Sequence, residues 1–255
     1  MQVPTTSGTG SEVTNISVIT TGQAQKKGVV GAQLYADYAV LDGDLTLSLP
    51  PAVTAATGID AMVHAIEAYT SKHLKNVLSD LLAVEALRLL SSNIRLVCQD
   101  GGDREARGRM LLGSLLAGLA FSNSPCAGVH AMAYPLGSHH GVPHGLANSL
   151  MLPHVLRFTG EDSEAASLYR DLTPLIFPAL AATRGPSVSV LADGCLQLAA
   201  DLNIPTCLAD LGIKLSDTEV LATEAMKVTR LLQNNMREIT RPDALNLYQS
   251  ALHKA

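Results

Sequence analysis

The sequence predicts an α/β remnant followed by an all-α domain, divided near Pro50. Three observations carry this. Before Pro50 the regular signals are two short runs, NISVITT (15–21) and YAVL (38–41), each bounded by polar turns, which read as strands. From Pro50 onward strand signals nearly vanish and apolar residues recur with the 3.6-residue period of helices. At 255 residues, 47% hydrophobic and only 16% charged, the chain suffices for one large domain or two modest ones with a sizeable core. Residues 1–49 are therefore expected to be the tail of an α/β domain and residues 50–255 an all-helical domain.

Residues 5–14 (TTSGTGSEVT) form a loop of small residues. Gly8 and Gly10 would let the backbone approach a ligand, and the hydroxyls around them could bond phosphate or ribose; an ordinary turn fits as well. The loop is no Walker motif, since no GK[ST] follows, and Val13 stands where the third glycine of GxGxxG would be. A polar loop this early, before any element to support it, suggests a chain that starts in mid-domain. Lys26 and Lys27 read as a solvated hairpin between the two strands, or as a contact to a cofactor phosphate. Pro50-Pro51 starts a helix reaching about Ser71. Further helices are expected over 77–97, 104–121 capped by Asp103, 127–136 ended by Pro135 and Gly137, and from 145 to about 155. Others follow over 163–172, 188–202, 218–233 opened by a Ser216/Glu219 capping box, and 241–253. The small residues Gly113, Ala117, Gly118 and Ala120 permit close helix packing.

Net charge is −5 with no basic stretch, which argues against a nucleic-acid partner. The four cysteines (98, 126, 195, 207) form no CxxC pair, so reduced thiols and a cytoplasmic setting are expected. No apolar run reaches membrane-spanning length, and the first residues have neither the basic nor the apolar region of a signal peptide.

The chemistry concentrates in GIDAMVHAIEAY (58–69) and GVHAMAYPLGSHHGVPHG (128–145). Asp60 and His64 stand four apart on a predicted helix and project from one face. Alone, the pair fits a partly buried Asp–His hydrogen bond better than a ligand pair. His130 lies in an apolar, small-residue helix, where an isolated histidine is commonly a core residue. His144 sits between a proline and a glycine, in a turn that suits a ligand. Together, one carboxylate and three imidazoles suit Fe²⁺ or Zn²⁺, with room for outer ligands. Glu67 reads as a second partner for a ligand or, more simply, as a solvated carboxylate. His139 and His140 read as a loop from which either could reach a substrate pocket or face solvent; His140 is kept as a catalytic candidate. His73, His154 and His253 are left as structural.

PTTSGTGSEVT, LDGDL, PPAVTAATGIDAMVHAIEAY, HAMAYPLG and VPHGLANSLMLPHV occur in the order found in the iron-containing (group III) alcohol dehydrogenases, which the chain resembles over almost its whole length. The resemblance implies that Asp60, His64, His130 and His144 are the metal ligands. It implies that Thr5, Thr6, Ser7, Gly8 and Thr9 form a cofactor-binding loop, with further nicotinamide-dinucleotide contacts at Thr14, Lys27 and Leu45. Tyr134 stands where several members carry a histidine near substrate and nicotinamide, and is the other catalytic candidate. Implied too are a Rossmann-like dinucleotide-binding domain ending at residue 49, a dehydroquinate synthase-like fold, Fe²⁺ (or Zn²⁺) with NAD(P), an alcohol or aldehyde substrate and a homodimer. Family members are longer at the N-terminus and carry there a glycine-rich GGGS turn, which this sequence lacks. A shortened dehydrogenase with weak dinucleotide affinity is therefore expected. A non-catalytic metal-binding remnant and, less well supported, a metal-dependent hydrolase are the alternatives.

Overall fold

The structure, a computed structural model, describes residues 1–21 and 25–253. The side chains of residues 20, 21 and 25–27 also lie outside the description, and with them the side chain of Lys27. The chain is mostly helical, with one two-stranded antiparallel sheet, β1 (Ile16–Thr21) and β2 (Gln25–Val30). The first expected strand is thus present. Its partner is Gln25–Val30, which contains the two lysines read as a turn. The second expected strand, residues 38–41, contributes only an isolated parallel bridge between Gln2 and Ala39. Tyr38, Ala39 and Val40 are exposed, so no buried apolar face holds the segment as a strand.

Eleven helices are described: α1 (Pro51–Tyr69), α2 (Val77–Gln99), α3 (Arg104–Asn123), α4 (Gly128–His140), α5 (His144–Thr159), α6 (Ser163–Ile176), α7 (Pro178–Arg184), α8 (Val188–Asp201), α9 (Thr218–Ala225), α10 (Thr229–Leu232) and α11 (Arg241–Ser250). Helix α1 starts as expected, with Pro51 in its first turn. It is buried nearly all round, from Thr54 to Ala68, because α2, α3 and α5 enclose it. Asn76 caps α2 and Asp103 caps α3, each side-chain oxygen accepting backbone N–H groups of the first turn. Gly113 lets α3 approach Leu90 of α2.

Three expectations are corrected. Helix α4 does not stop at Pro135 and Gly137. It continues through both to His140 and ends at Gly141, whose φ of 67° is the left-handed cap that glycine favours. His139 and His140 are therefore helical rather than looped. The helix expected over 218–233 is two, α9 and α10, broken at residues 226–228. The Ser216/Glu219 box does not form: Asp217 accepts the Lys214 N–H, and Glu219 pairs with Arg241. Among the described residues no single helix is long and apolar enough to cross a membrane.

Candidate metal centre

Helix α1 places Asp60, His64 and Glu67 on one buried stripe, since positions three, four and seven apart share a helix face. Helix α4 brings His130 on its first turn, and α5 begins at His144. Three helices thus meet at one point. One ligand atom from each of Asp60, His64, His130 and His144 lies within 4.8 Å of the others. His130 Nε2 is 3.9 Å and His144 Nε2 3.7 Å from Asp60 Oδ1. Asp60, His64 and His130 are buried and His144 half-buried. The close crossing of α1 and α5 needs Gly145: a Cβ there would lie 2.3 Å from the Ala56 carbonyl oxygen.

The rings are held in place. His64 stacks between Phe121, 4.5 Å away, and His130, 4.7 Å away. Glu67 is buried rather than solvated. Its Oε1 accepts the Val129 N–H at 2.6 Å and its Oε2 accepts His130 Nδ1–H at 2.5 Å. That contact assigns the ring proton to Nδ1 and leaves the Nε2 lone pair facing Asp60 and His144. His64 Nδ1 is buried without a hydrogen-bond partner among the described atoms. A carboxylate and three rings whose ligand atoms lie within 4.8 Å of one another, with one ring nitrogen unpaired, form the donor set a borderline divalent ion takes. The group fits such an ion.

Charge here follows burial and proximity. Burial opposes ionisation of Asp60, but His64, His144 and His130, with a hydrogen bond from Asn148, hold its carboxyl below the usual range. Burial drives His64 down to about 4, so this ring is neutral at pH 7. Burial also disfavours charge on His130, while the Glu67 carboxylate hydrogen-bonded to Nδ1 favours it. Burial pushes the Cys126 thiol up.

His64, His130 and His144 line a cavity of about 640 Å³. Phe121, Cys126 and Tyr134 form one wall, and Arg230 of α10 and Leu231 another. Thr9, Ser11, Thr14 and Asn15 of the early loop and Ile16, Val18 and Val30 of the hairpin line the rest. Tyr134 reaches the cavity, its ring 5.8 Å from that of His144, and burial raises its phenol pKa.

His140 is exposed at the far end of α4 and is not part of the lining. It is ten residues beyond His130, about 15 Å along the helix. Of the loop residues, Thr9 and Thr14 line the cavity, whereas Thr5, Thr6, Ser7 and Gly8 do not. Gly8 and Gly10 seat the loop on helices instead of on open space. The Gly8 Cβ position is 2.8 Å from Thr57 Cβ, and Gly10, at φ 57°, packs on Gly118. Leu45 is exposed on a 3₁₀ turn, Gly43–Thr46, away from the lining. Asn148, Phe121, Cys126 and Arg230 were not singled out from the sequence. Asn148 had a signal, standing four residues after His144; the others reach the site only through tertiary packing.

The fold and site define a helical protein with a cleft beside a candidate metal centre. The description "Fe-containing alcohol dehydrogenase family, C-terminal" matches residues 54–252, and "Iron-containing alcohol dehydrogenase" matches residues 1–43; the chain belongs to the iron-containing alcohol dehydrogenase family. It is 42% identical over 254 residues to long-chain-alcohol dehydrogenase 1 of Geobacillus thermodenitrificans, covering 98% of this chain and 62% of that one. It is 37% identical over 256 residues to sulfoacetaldehyde reductase of Bilophila wadsworthia, covering 97% and 64%. The solved structure of a 1,3-propanediol oxidoreductase superposes with a TM-score of 0.90 at 34% identity, covering 98% and 65%. That of sulfoacetaldehyde reductase from Bifidobacterium kashiwanohense in complex with NAD⁺ superposes with a TM-score of 0.85 at 30% identity, covering 98% and 63%. The chain thus spans less than two thirds of the length of these relatives.

Proposed function

We propose that this chain is a metal-dependent oxidoreductase, or the metal-bearing part of one, exchanging a hydride between a nicotinamide cofactor and a small alcohol or aldehyde. The observation that supports this best is the meeting of Asp60, His64, His130 and His144 beside a cavity, in a member of this family. These four residues would hold Fe²⁺, or Zn²⁺ with the same donors. Such an ion supplies Lewis acidity toward an alcohol or carbonyl oxygen, while a nicotinamide ring exchanges hydride with the adjacent carbon.

The chain's own residues supply binding and exclusion. Phe121, Leu231, Ile16 and Val18 give the cavity apolar walls that keep water from the reacting carbon. Tyr134, with its phenol neutral, offers an O–H toward a bound oxygen. His140 has no part in this reading, being outside the cavity. Residues 1–49 are read as the last part of a Rossmann-like dinucleotide-binding domain and residues 50–255 as the helical metal domain. Thr9 and Thr14, which line the cavity, are read as the loop residues that meet the nicotinamide end of the cofactor. Thr5, Thr6, Ser7, Gly8, Lys27 and Leu45 are read as contacts to the rest of it. A homodimer and a cytoplasmic setting complete the proposal. The test is NAD(P)-linked turnover of short alcohols and aldehydes by anaerobically metal-loaded protein. Turnover abolished by His130→Ala is expected; metal uptake without turnover of any substrate would favour a non-catalytic metal-binding chain.

A further inference from the structure

Asn148 lies wholly buried in α5, four residues past His144. Its Nδ2 donates to Asp60 Oδ1 at 2.6 Å and lies 3.2 Å from His130 Nε2 and 3.3 Å from His144 Nε2. One amide therefore touches three of the four candidate ligands, which come from three different helices. Its orientation follows from its neighbours. Asp60 is an acceptor, and His130, with its proton directed at Glu67, presents a lone pair. The flipped amide would set an oxygen against these acceptors. Oδ1 instead lies buried with no partner among the described atoms, so the donor half of the side chain accounts for its placement.

We propose that Asn148 is the positioning residue of the metal centre. Its amide fixes the Asp60 carboxylate about its own torsion and sets that oxygen's spacing from the His130 and His144 rings. This rests on the reading of Asp60, His64, His130 and His144 as ligands. The competing role is packing alone, a filler between α5 and α1. The two roles differ for leucine, which keeps the volume and removes the donor.

The test uses the whole chain and compares Asn148→Leu and Asn148→Ala with the parent. Zinc affinity is measured by chelator competition, and visible spectra are recorded after Co²⁺ loading. Both variants should bind zinc about 10–100-fold more weakly, the range seen when partners that orient ligands are lost. Both should also show altered Co²⁺ bands with unchanged helical circular dichroism. In the parent, the Asn148 side-chain amide NMR signals should shift on zinc addition, a readout that needs no variant. A leucine variant with parental affinity and spectrum, or amide signals that zinc leaves unmoved, would overturn the proposal while leaving the ligand set standing. A parent chain that takes up no metal would overturn the ligand reading, and this inference with it.

Discussion

Glu67 bonds α4 twice, through the Val129 N–H and through His130 Nδ1. Replacing it with glutamine turns one acceptor into a donor that must face one of those two donors. Glu67→Gln should therefore weaken metal binding about 10–100-fold, as expected when a histidine ligand loses its carboxylate. Chelator competition measures this, and unchanged affinity would show that the carboxylate does not orient the ring. His154 gives a pH-dependent test away from the centre. It is buried in α5, with Nδ1 2.9 Å from Ser250 Oγ, and burial, helped by Arg157, lowers its pKa to about 4. Its pKa is lower folded than unfolded, so the unfolded chain binds the proton first. Stability is then full above about pH 6.5 and declines as pH falls toward 4, by roughly 3–4 kcal/mol at most from this group. Denaturant titrations should show a shallower acid decline for His154→Gln; parallel curves would contradict it. The i, i+4 spacing of Asp60 and His64 was legible because both sit on one helix. Glu67 continues that stripe, yet sequence alone could not show that α4 covers it. His130 and His144 carry no local signal that they meet; donor chemistry suggested the set of four, and the motif resemblance matched it to the family's ligands.

Helix contacts set the site's geometry as much as its ligands do. At Gly145 an added methyl would strike the α1 backbone one residue after His144. Gly145→Ala should cost about 1–3 kcal/mol, as overpacking does in a filled core, and should weaken metal binding in the same variant. Thermal melts with and without metal check both; a variant that melts and binds like the parent would show that the α1–α5 crossing can relax freely. Most long helices were legible because their apolar period runs for several turns. Their ends were less so. Pro135 looked like a stop, but a proline in α4 removes one donor without ending the helix, whose next residue, Leu136, is buried in the core. The break between α9 and α10 left no glycine or proline to mark it. The pairing of β1 with a lysine-bearing strand was hidden because a half-exposed hairpin does not demand apolar alternation.

At the scale of the whole molecule, α1, α4 and α5 belong to one core yet approach each other through polar groups at the centre. An ion bound there would bridge all three, so binding and stability are coupled. Anything that binds the folded state alone stabilises it by about 4 kcal/mol at a thousand times its dissociation constant. Chelation should accordingly lower the melting temperature of the whole chain. The onset of helices near Pro50 was readable from a change of periodicity, and the family from motifs spread along the sequence. The cavity was not readable, since its walls come from two loops, a hairpin and five helices far apart in sequence. The most direct test of the account is the metal content of anaerobically purified protein, alongside His64→Ala and His130→Ala. One divalent ion per chain in the parent, and little or none in either variant, is the predicted result. A parent without metal, or variants that retain as much as the parent, would contradict it.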